Sequence, residues 1–176
     1  SGHFTADGIP CTVSVNNGPH CLHGGITGFN QKIWEASVKG NALCLTLESP
    51  DGDEGFPGRL QVQVTYRLTP ENGLQITYQA ETTRITPVSL TNHSYFNLNG
   101  QGVSDYKWPG TQGKNTILNH TLQIPAQTVL ENDETSLPTG KRFQVKGTPF
   151  DFTRAKTLGA DIGVVDEQLR RGRGYD

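Results

Sequence analysis

Methionine is missing altogether from the 176 residues, and the opening Ser1-Gly2-His3-Phe4-Thr5-Ala6 has no basic start followed by an apolar run. The chain as written therefore carries no translation start, which reads as a processed product or a piece of something longer, and no signal peptide is visible. Charge is scarce as well: charged residues are 18%, with 15 basic against 17 acidic and a net charge of −2. That balance excludes nucleic-acid binding through a strongly basic surface, and it excludes an acidic solvating tail. No stretch approaches the ~18 consecutive apolar residues of a membrane span, so no membrane partner is expected. Cysteine appears three times, at 11, 21 and 44, an odd number that cannot pair completely. With no secretion signal, these read as reduced thiols of a cytoplasmic protein. His20-Cys21-Leu22-His23 with Cys11 matches no standard zinc spacing, so no metal is expected.

What the chain has in abundance is glycine (21) and proline (10), a turn-rich composition short of the disordered range. The dominant period is two. In Leu60-Gln61-Val62-Gln63-Val64-Thr65-Tyr66-Arg67-Leu68 every even residue is apolar, and Leu74-Gln75-Ile76-Thr77-Tyr78-Gln79-Ala80-Glu81 repeats the pattern. This is the alternation of half-buried strands. Thr69-Pro70-Glu71-Asn72-Gly73 supplies turn chemistry between them, so the pair is predicted to be an antiparallel hairpin. Leu43, Leu45 and Leu47 alternate likewise, and further strands are predicted at 12–15, 33–38, 88–98, 117–124, 128–131 and 142–145. Turns are expected at 24–25, 51–58, 99–102, 109–110 and 137–140. Only 153–171 has room for helix, and Gly159 and Gly163 weaken it. Short strands with regular turns imply an all-β, antiparallel sandwich or barrel-like architecture in a single domain.

Three places offer chemistry. In Ser89-Leu90-Thr91-Asn92-His93-Ser94-Tyr95-Phe96-Asn97-Leu98, alternate residues give one face of Ser89, Thr91, His93, Tyr95 and Asn97. Hydroxyls, amide and imidazole on one rigid face suit a sugar, although a solvent-facing strand would show the same composition. Leu22-His23-Gly24-Gly25-Ile26-Thr27-Gly28-Phe29 places a histidine in a glycine-rich turn, where the backbone can bend sharply or approach a ligand. Asp51-Gly52-Asp53-Glu54-Gly55-Phe56-Pro57-Gly58 lacks the spaced pattern of a calcium loop and reads as a solvated turn. Arg170, Arg171 and Arg173 read as a solvated basic face. Trp34 reads as core, whereas Trp108 remains open to stacking on a sugar ring.

Leu22-His23-Gly24-Gly25, the Ser49 to Gly58 run Ser-Pro-Asp-Gly-Asp-Glu-Gly-Phe-Pro-Gly, and Thr91-Asn92-His93-Ser94-Tyr95-Phe96-Asn97-Leu98 occur in this order. In this the chain resembles the aldose 1-epimerases, or galactose mutarotases, of animal type, from about Phe4 to Asp176. The resemblance implies a large twisted antiparallel β-sandwich of galactose mutarotase type, incomplete here because family members are considerably longer. It implies an isomerase that interconverts the α and β anomers of free hexoses such as galactose or glucose, without a cofactor. His93 matches the family's acid, a sensible role for an imidazole, which titrates near neutral pH. His23 matches the second histidine of the sugar site, Ser94 and Tyr95 adjoin the acid, and Asp176 matches an aspartate that accepts sugar hydroxyls. The family's glutamate base would fall beyond Asp176 and its sugar-binding Asn-Arg pair before Ser1. The chain is thus expected to lack terminal parts of the domain, to be inactive or nearly so alone, and to take the remainder of its own chain as a partner. The segment 103–115 looks longer than its counterpart, with no role implied. The competing reading is a non-catalytic carbohydrate-binding β-sandwich module.

Overall fold

A computed structural model describes residues 1–98 and 116–175. The segment 103–115 with Trp108, the turns expected at 99–102 and 109–110, and Asp176 lie outside the described residues. The chain forms two compact units, Ser1–Asn92 and His93–Asp176. Regular structure is mostly strand, and every strand pairing is antiparallel, as the two-residue period and frequent turns predict.

The first unit opens with a hairpin of β1 (His3–Ala6) and β2 (Ile9–Thr12). Asp7 and Gly8 both hold positive φ, 51° and 73°, the twist that closes a two-residue hairpin. The strand expected at 12–15 thus lies earlier, ending at Thr12. The main sheet has the order β3-β4-β5-β6, built from Glu35–Lys39, Ala42–Ser49, Leu60–Leu68 and Leu74–Thr82. The β5–β6 pair is the predicted hairpin, in register from Leu60 opposite Thr82 to Leu68 opposite Leu74. Its loop is closed by the Thr69 N–H donating to the Gly73 carbonyl at 2.8 Å.

Directly opposed residues share a face. The register therefore gathers Leu43, Leu45 and Leu47 with Val62, Val64 and Tyr66, and these with Ile76, Tyr78 and Ala80. Burial concentrates at one end of this face. Leu60, Val62 and Val64 form the core, with Phe29, Trp34, Leu45, Tyr66, Ile76 and Leu90 packed against it. Val62 is fully buried, and burial of a side chain of this size contributes about 1.5–3 kcal/mol. Trp34 is core, as expected: its indole N–H donates to the Phe29 carbonyl at 2.9 Å while its ring meets Phe29 edge-on. At the other end Leu68, Leu74 and Val38 are 69%, 52% and 77% exposed.

The second unit contains β7 (Thr121–Leu122) paired with β10 (Lys156–Thr157), and β8 (Thr128–Asn132) paired with β9 (Pro138–Gln144). The turn expected at 137–140 is instead the start of β9. Gly140 takes φ 83°, and the ladder shifts register between Leu130 and Asn132, so glycine here serves an irregular strand rather than a turn. The predicted helical region contracts to α1, Glu167–Gly172. Asp166 caps it by accepting the Leu169 N–H at 3.0 Å, and Arg173 ends it in the left-handed region. Arg170 and Arg173 are exposed, as expected, whereas the Arg171 side chain is only 18% exposed. Arg171 bridges Glu134 at 2.9 Å and Glu167 at 2.8 Å and donates to the Asn132 carbonyl, tying α1 to β8. Val145, Phe150 and Leu169 form the core of this unit, with Val129, Phe143 and Tyr175 around them.

Candidate functional site

The sequence-predicted residues fall in both units, and each group has its own local geometry. His23 belongs to the first unit, in the loop that runs from Leu22 into the short 3-10 turn at Phe29–Gln31. It is exposed and holds φ 54°, and Gly24 and Gly25 continue with φ 87° and 108°. Left-handed backbone at a histidine costs about 1–2 kcal/mol, so something must hold this turn. Asn16 holds one side. Its side-chain oxygen accepts the Leu22 N–H at 2.7 Å, while its amide donates to the carbonyls of Leu22 at 2.9 Å and Gly25 at 2.6 Å. Glu54 holds the other, accepting the N–H groups of Ile26 at 3.0 Å and Thr27 at 2.8 Å.

The acidic loop is accordingly not the solvated turn the sequence suggested. Asp51 accepts the Gly58 N–H at 2.5 Å. Asp53 pairs with Lys32 and accepts the Ser49 hydroxyl at 2.6 Å, with only 17% of its side chain exposed. Burial pushes the Asp53 carboxyl up, yet the hydrogen bonds from Lys32 and Ser49 together hold it below its ordinary value. Glu54 is also held low, first by the Ser14 hydroxyl and then by the Thr27 and Ile26 amides. Both carboxyls bind protons more readily unfolded than folded. Their contribution is therefore whole above the ordinary carboxylate range and is lost as pH falls through the lower folded values. We expect the urea midpoint of the chain to hold from pH 7 to about 5 and to fall below the ordinary glutamate value of 4.5. The Asp53→Asn,Glu54→Gln double variant should flatten that slope; an equal slope in the variant contradicts the assignment.

His93, Ser94 and Tyr95 open the second unit, and all three are exposed. The strand predicted over 88–98 does not form among the described residues. A strand is a property of a hydrogen-bonded pair, and this segment has alternation without a partner ladder. Part of the alternation is nevertheless real. Leu90 packs on the core of the first unit, and the Asn92 side-chain amide donates to the Tyr66 hydroxyl at 3.2 Å. The apolar back extends no further, since Phe96 and Leu98 are 73% and 82% exposed. The His93 and Tyr95 rings nevertheless lie side by side, 5.0 Å apart at an interplanar angle of 47°.

Among the described residues no group of three His, Cys, Asp or Glu is placed to hold a metal ion. The cysteines at 11, 21 and 44 are free thiols, and burial pushes the Cys21 thiol up, with Glu54 adding to the effect. An open groove of the first unit, lined by Ile9, Cys11, Pro57, Thr82 and Arg84, contains none of the predicted site residues. The sequence reading missed Asn16 and the role of Glu54. Asn16 carried a faint signal, polar turn chemistry beside Gly18-Pro19. Glu54 carried none toward Ile26, 28 residues away.

The Aldose 1-epimerase family model matches residues 1–176, and the chain belongs to that family. It is 43% identical to the galactose mutarotase of Sus scrofa over 161 residues, 92% of this chain and 44% of that protein. It is 37% identical to the aldose 1-epimerase of Escherichia coli, covering all of this chain and 47% of that one. The solved galactose 1-epimerase of Lactobacillus acidophilus superposes with a TM-score of 0.82 at 28% identity, covering 99% of this chain and 49% of that one. An aldose epimerase homologue from C. elegans gives a TM-score of 0.77 at 31% identity over 91% of this chain and 46% of that one. The all-β fold is thus of galactose mutarotase type, and the chain spans about half the length of the relatives it matches.

Proposed function

We propose that the protein containing this chain is a cytoplasmic aldose 1-epimerase that interconverts the α and β anomers of free hexoses, galactose or glucose among them. The family match across all 176 residues carries this reading. In the reaction a base takes the proton of the anomeric hydroxyl while an acid protonates the ring oxygen. The C1–O5 bond breaks to give the open aldehyde, the C1–C2 bond rotates, and closure on the other carbonyl face returns both protons. His93 is the acid that gives its proton to the ring oxygen and recovers it on closure. His23 holds the sugar, Ser94 and Tyr95 adjoin the acid, and Asp176 accepts sugar hydroxyls. No cofactor takes part, because only protons move. The base is the family's glutamate, which no residue of this chain matches, so these 176 residues supply the acid and part of the sugar contacts and are slow alone. Free thiols at all three cysteines accord with the cytoplasm.

The test follows the optical rotation of freshly dissolved α-D-galactose. With the purified chain, relaxation should stay near the buffer rate while galactose shifts the amide signals of His23 and Tyr95 saturably. A protein that also contains the family's base should accelerate relaxation far above buffer. Absence of saturable shifts together with a buffer rate in that longer protein overturns the proposal. Binding without acceleration there identifies a carbohydrate-binding module instead.

A further inference from the structure

We propose that Glu54 is a positioning residue of the sugar site: its carboxylate serves as the internal anion around which the His23 loop is folded. The proposal rests on the reading of His23 as a sugar contact. The positive φ values at His23, Gly24 and Gly25 turn the chain so that the next two amides, Ile26 and Thr27, point the same way. Successive N–H groups displayed in this manner form a nest for an anion. The nest holds a carboxylate of the chain itself, one oxygen on each amide, in a bidentate arrangement.

The carboxylate lies close against the turn. A Cβ at Gly25 would lie 2.3 Å from the Glu54 Oε2 and 2.8 Å from its Cδ, so a side chain there would push the carboxylate away from the two amides. A Cβ at Gly28 would lie 2.1 Å from the carbonyl oxygen of His23, which closes the loop back on the histidine it carries. Glu54 is itself in the left-handed region at φ 51°, aimed there by the turn between β4 and β5. Its backbone carbonyl accepts the Ser14 N–H at 2.8 Å, and its side chain is bonded to Ser14 as well. Asn16, two residues on, grips Leu22 and Gly25. The chain on both sides of His23 is therefore fixed from the same segment, 14–16, and from the acidic loop. Both Glu54 oxygens are spent on backbone amides, which assigns it positioning rather than acid–base work.

The test uses the 15N-labelled chain. Lowering the pH from 7 to 3 should move the amide protons of Ile26 and Thr27 together, with one shared midpoint below 4.5, the ordinary glutamate value. Glu54→Gln should abolish that titration while leaving the amide signals of Val62 and Val64 in place. The variant should bind galactose about tenfold to a hundredfold more weakly, the loss typical of hydrogen bonds to a charged group. Amides of Ile26 and Thr27 that ignore pH in the parent overturn the proposal without any variant, and so does unchanged galactose affinity in Glu54→Gln. His23→Ala separates the two readings. It should keep the shared titration and lose sugar response. A parent chain that titrates as described but shows no galactose shift at His23 refutes the sugar contact and leaves the hold of Glu54 on the loop standing.

Discussion

If His93 is the acid of the proposed reaction, alanine in its place should lower the rate of galactose mutarotation by a factor of about 10²–10⁴, to be followed by polarimetry on a protein that contains this chain and the family's base. That range is what a positioned general acid contributes. Without it the ring oxygen must leave unprotonated or take its proton from water, and the barrier to ring opening rises accordingly. The proton is needed in the transition state and not in the bound ground state, so kcat should fall while KM moves little. Stability should change by no more than about 0.5 kcal/mol, because the side chain is exposed and fills no cavity. His93→Gln should be as slow as alanine, since an amide offers hydrogen bonds but cannot give up and regain a proton. Tyr95→Phe keeps the ring 5.0 Å from the imidazole and should cost less than tenfold. A His93→Ala enzyme within tenfold of the parent removes the acid assignment.

The contrast between the two histidines shows what a sequence carries on its surface. The hairpin of β5 and β6 was legible because strict alternation and a Thr-Pro-Glu-Asn-Gly turn specify both register and face, and the pairing of Leu68 with Leu74 follows from the loop length. Alternation names the face but not what covers it: Ile76 is half-buried, whereas Leu74 on the same face is 52% exposed. The segment of His93 shows the same limit more severely. Its period of two places Leu90 and Asn92 toward the sheet and His93 beside Tyr95, yet no ladder forms among the described residues, because a strand needs a neighbour that local sequence cannot supply. The β1–β2 hairpin was missed for the opposite reason. Its strands are four residues each with Pro10 inside, too short for periodicity, and only Asp7-Gly8 announced it. In the candidate site the glycine turn of His23 was readable and its supports were not. The bond from Glu54 to Ile26 depends on the topology that returns the chain 28 residues later.

Phe150→Ala should cost the second unit about 3–5 kcal/mol, the usual penalty for emptying a buried aromatic site. Phe150 is 9% exposed in the core with Val145 and Leu169. Its ring meets Phe143 edge-on at 5.9 Å and Tyr175 at 5.6 Å, and Tyr175 in turn meets Phe152 at 5.0 Å. Lys156 closes the cluster, its ammonium 4.4 Å above the Phe152 ring while it donates to the Pro149 carbonyl and pairs with Asp161. Alanine removes the ring that joins β9 to the residue preceding Asp176, so two edge-to-face contacts are lost along with the buried area. Amide exchange at Val145 and Leu169 should accelerate by about two orders of magnitude or more, while that at Val62 and Val64 keeps its own rate if the two units open separately. Tyr175→Phe provides the control. The Tyr175 hydroxyl is buried with no hydrogen-bond partner among the described residues, and burial, with Asp161 nearby, pushes its phenol up. Removing that oxygen keeps every ring contact and deletes an unpaired polar atom, so stability should hold or rise by about 1 kcal/mol. If Tyr175→Phe is as damaging as Phe150→Ala, the hydroxyl has a partner outside the described residues, and the anchoring of Tyr175 is polar rather than aromatic.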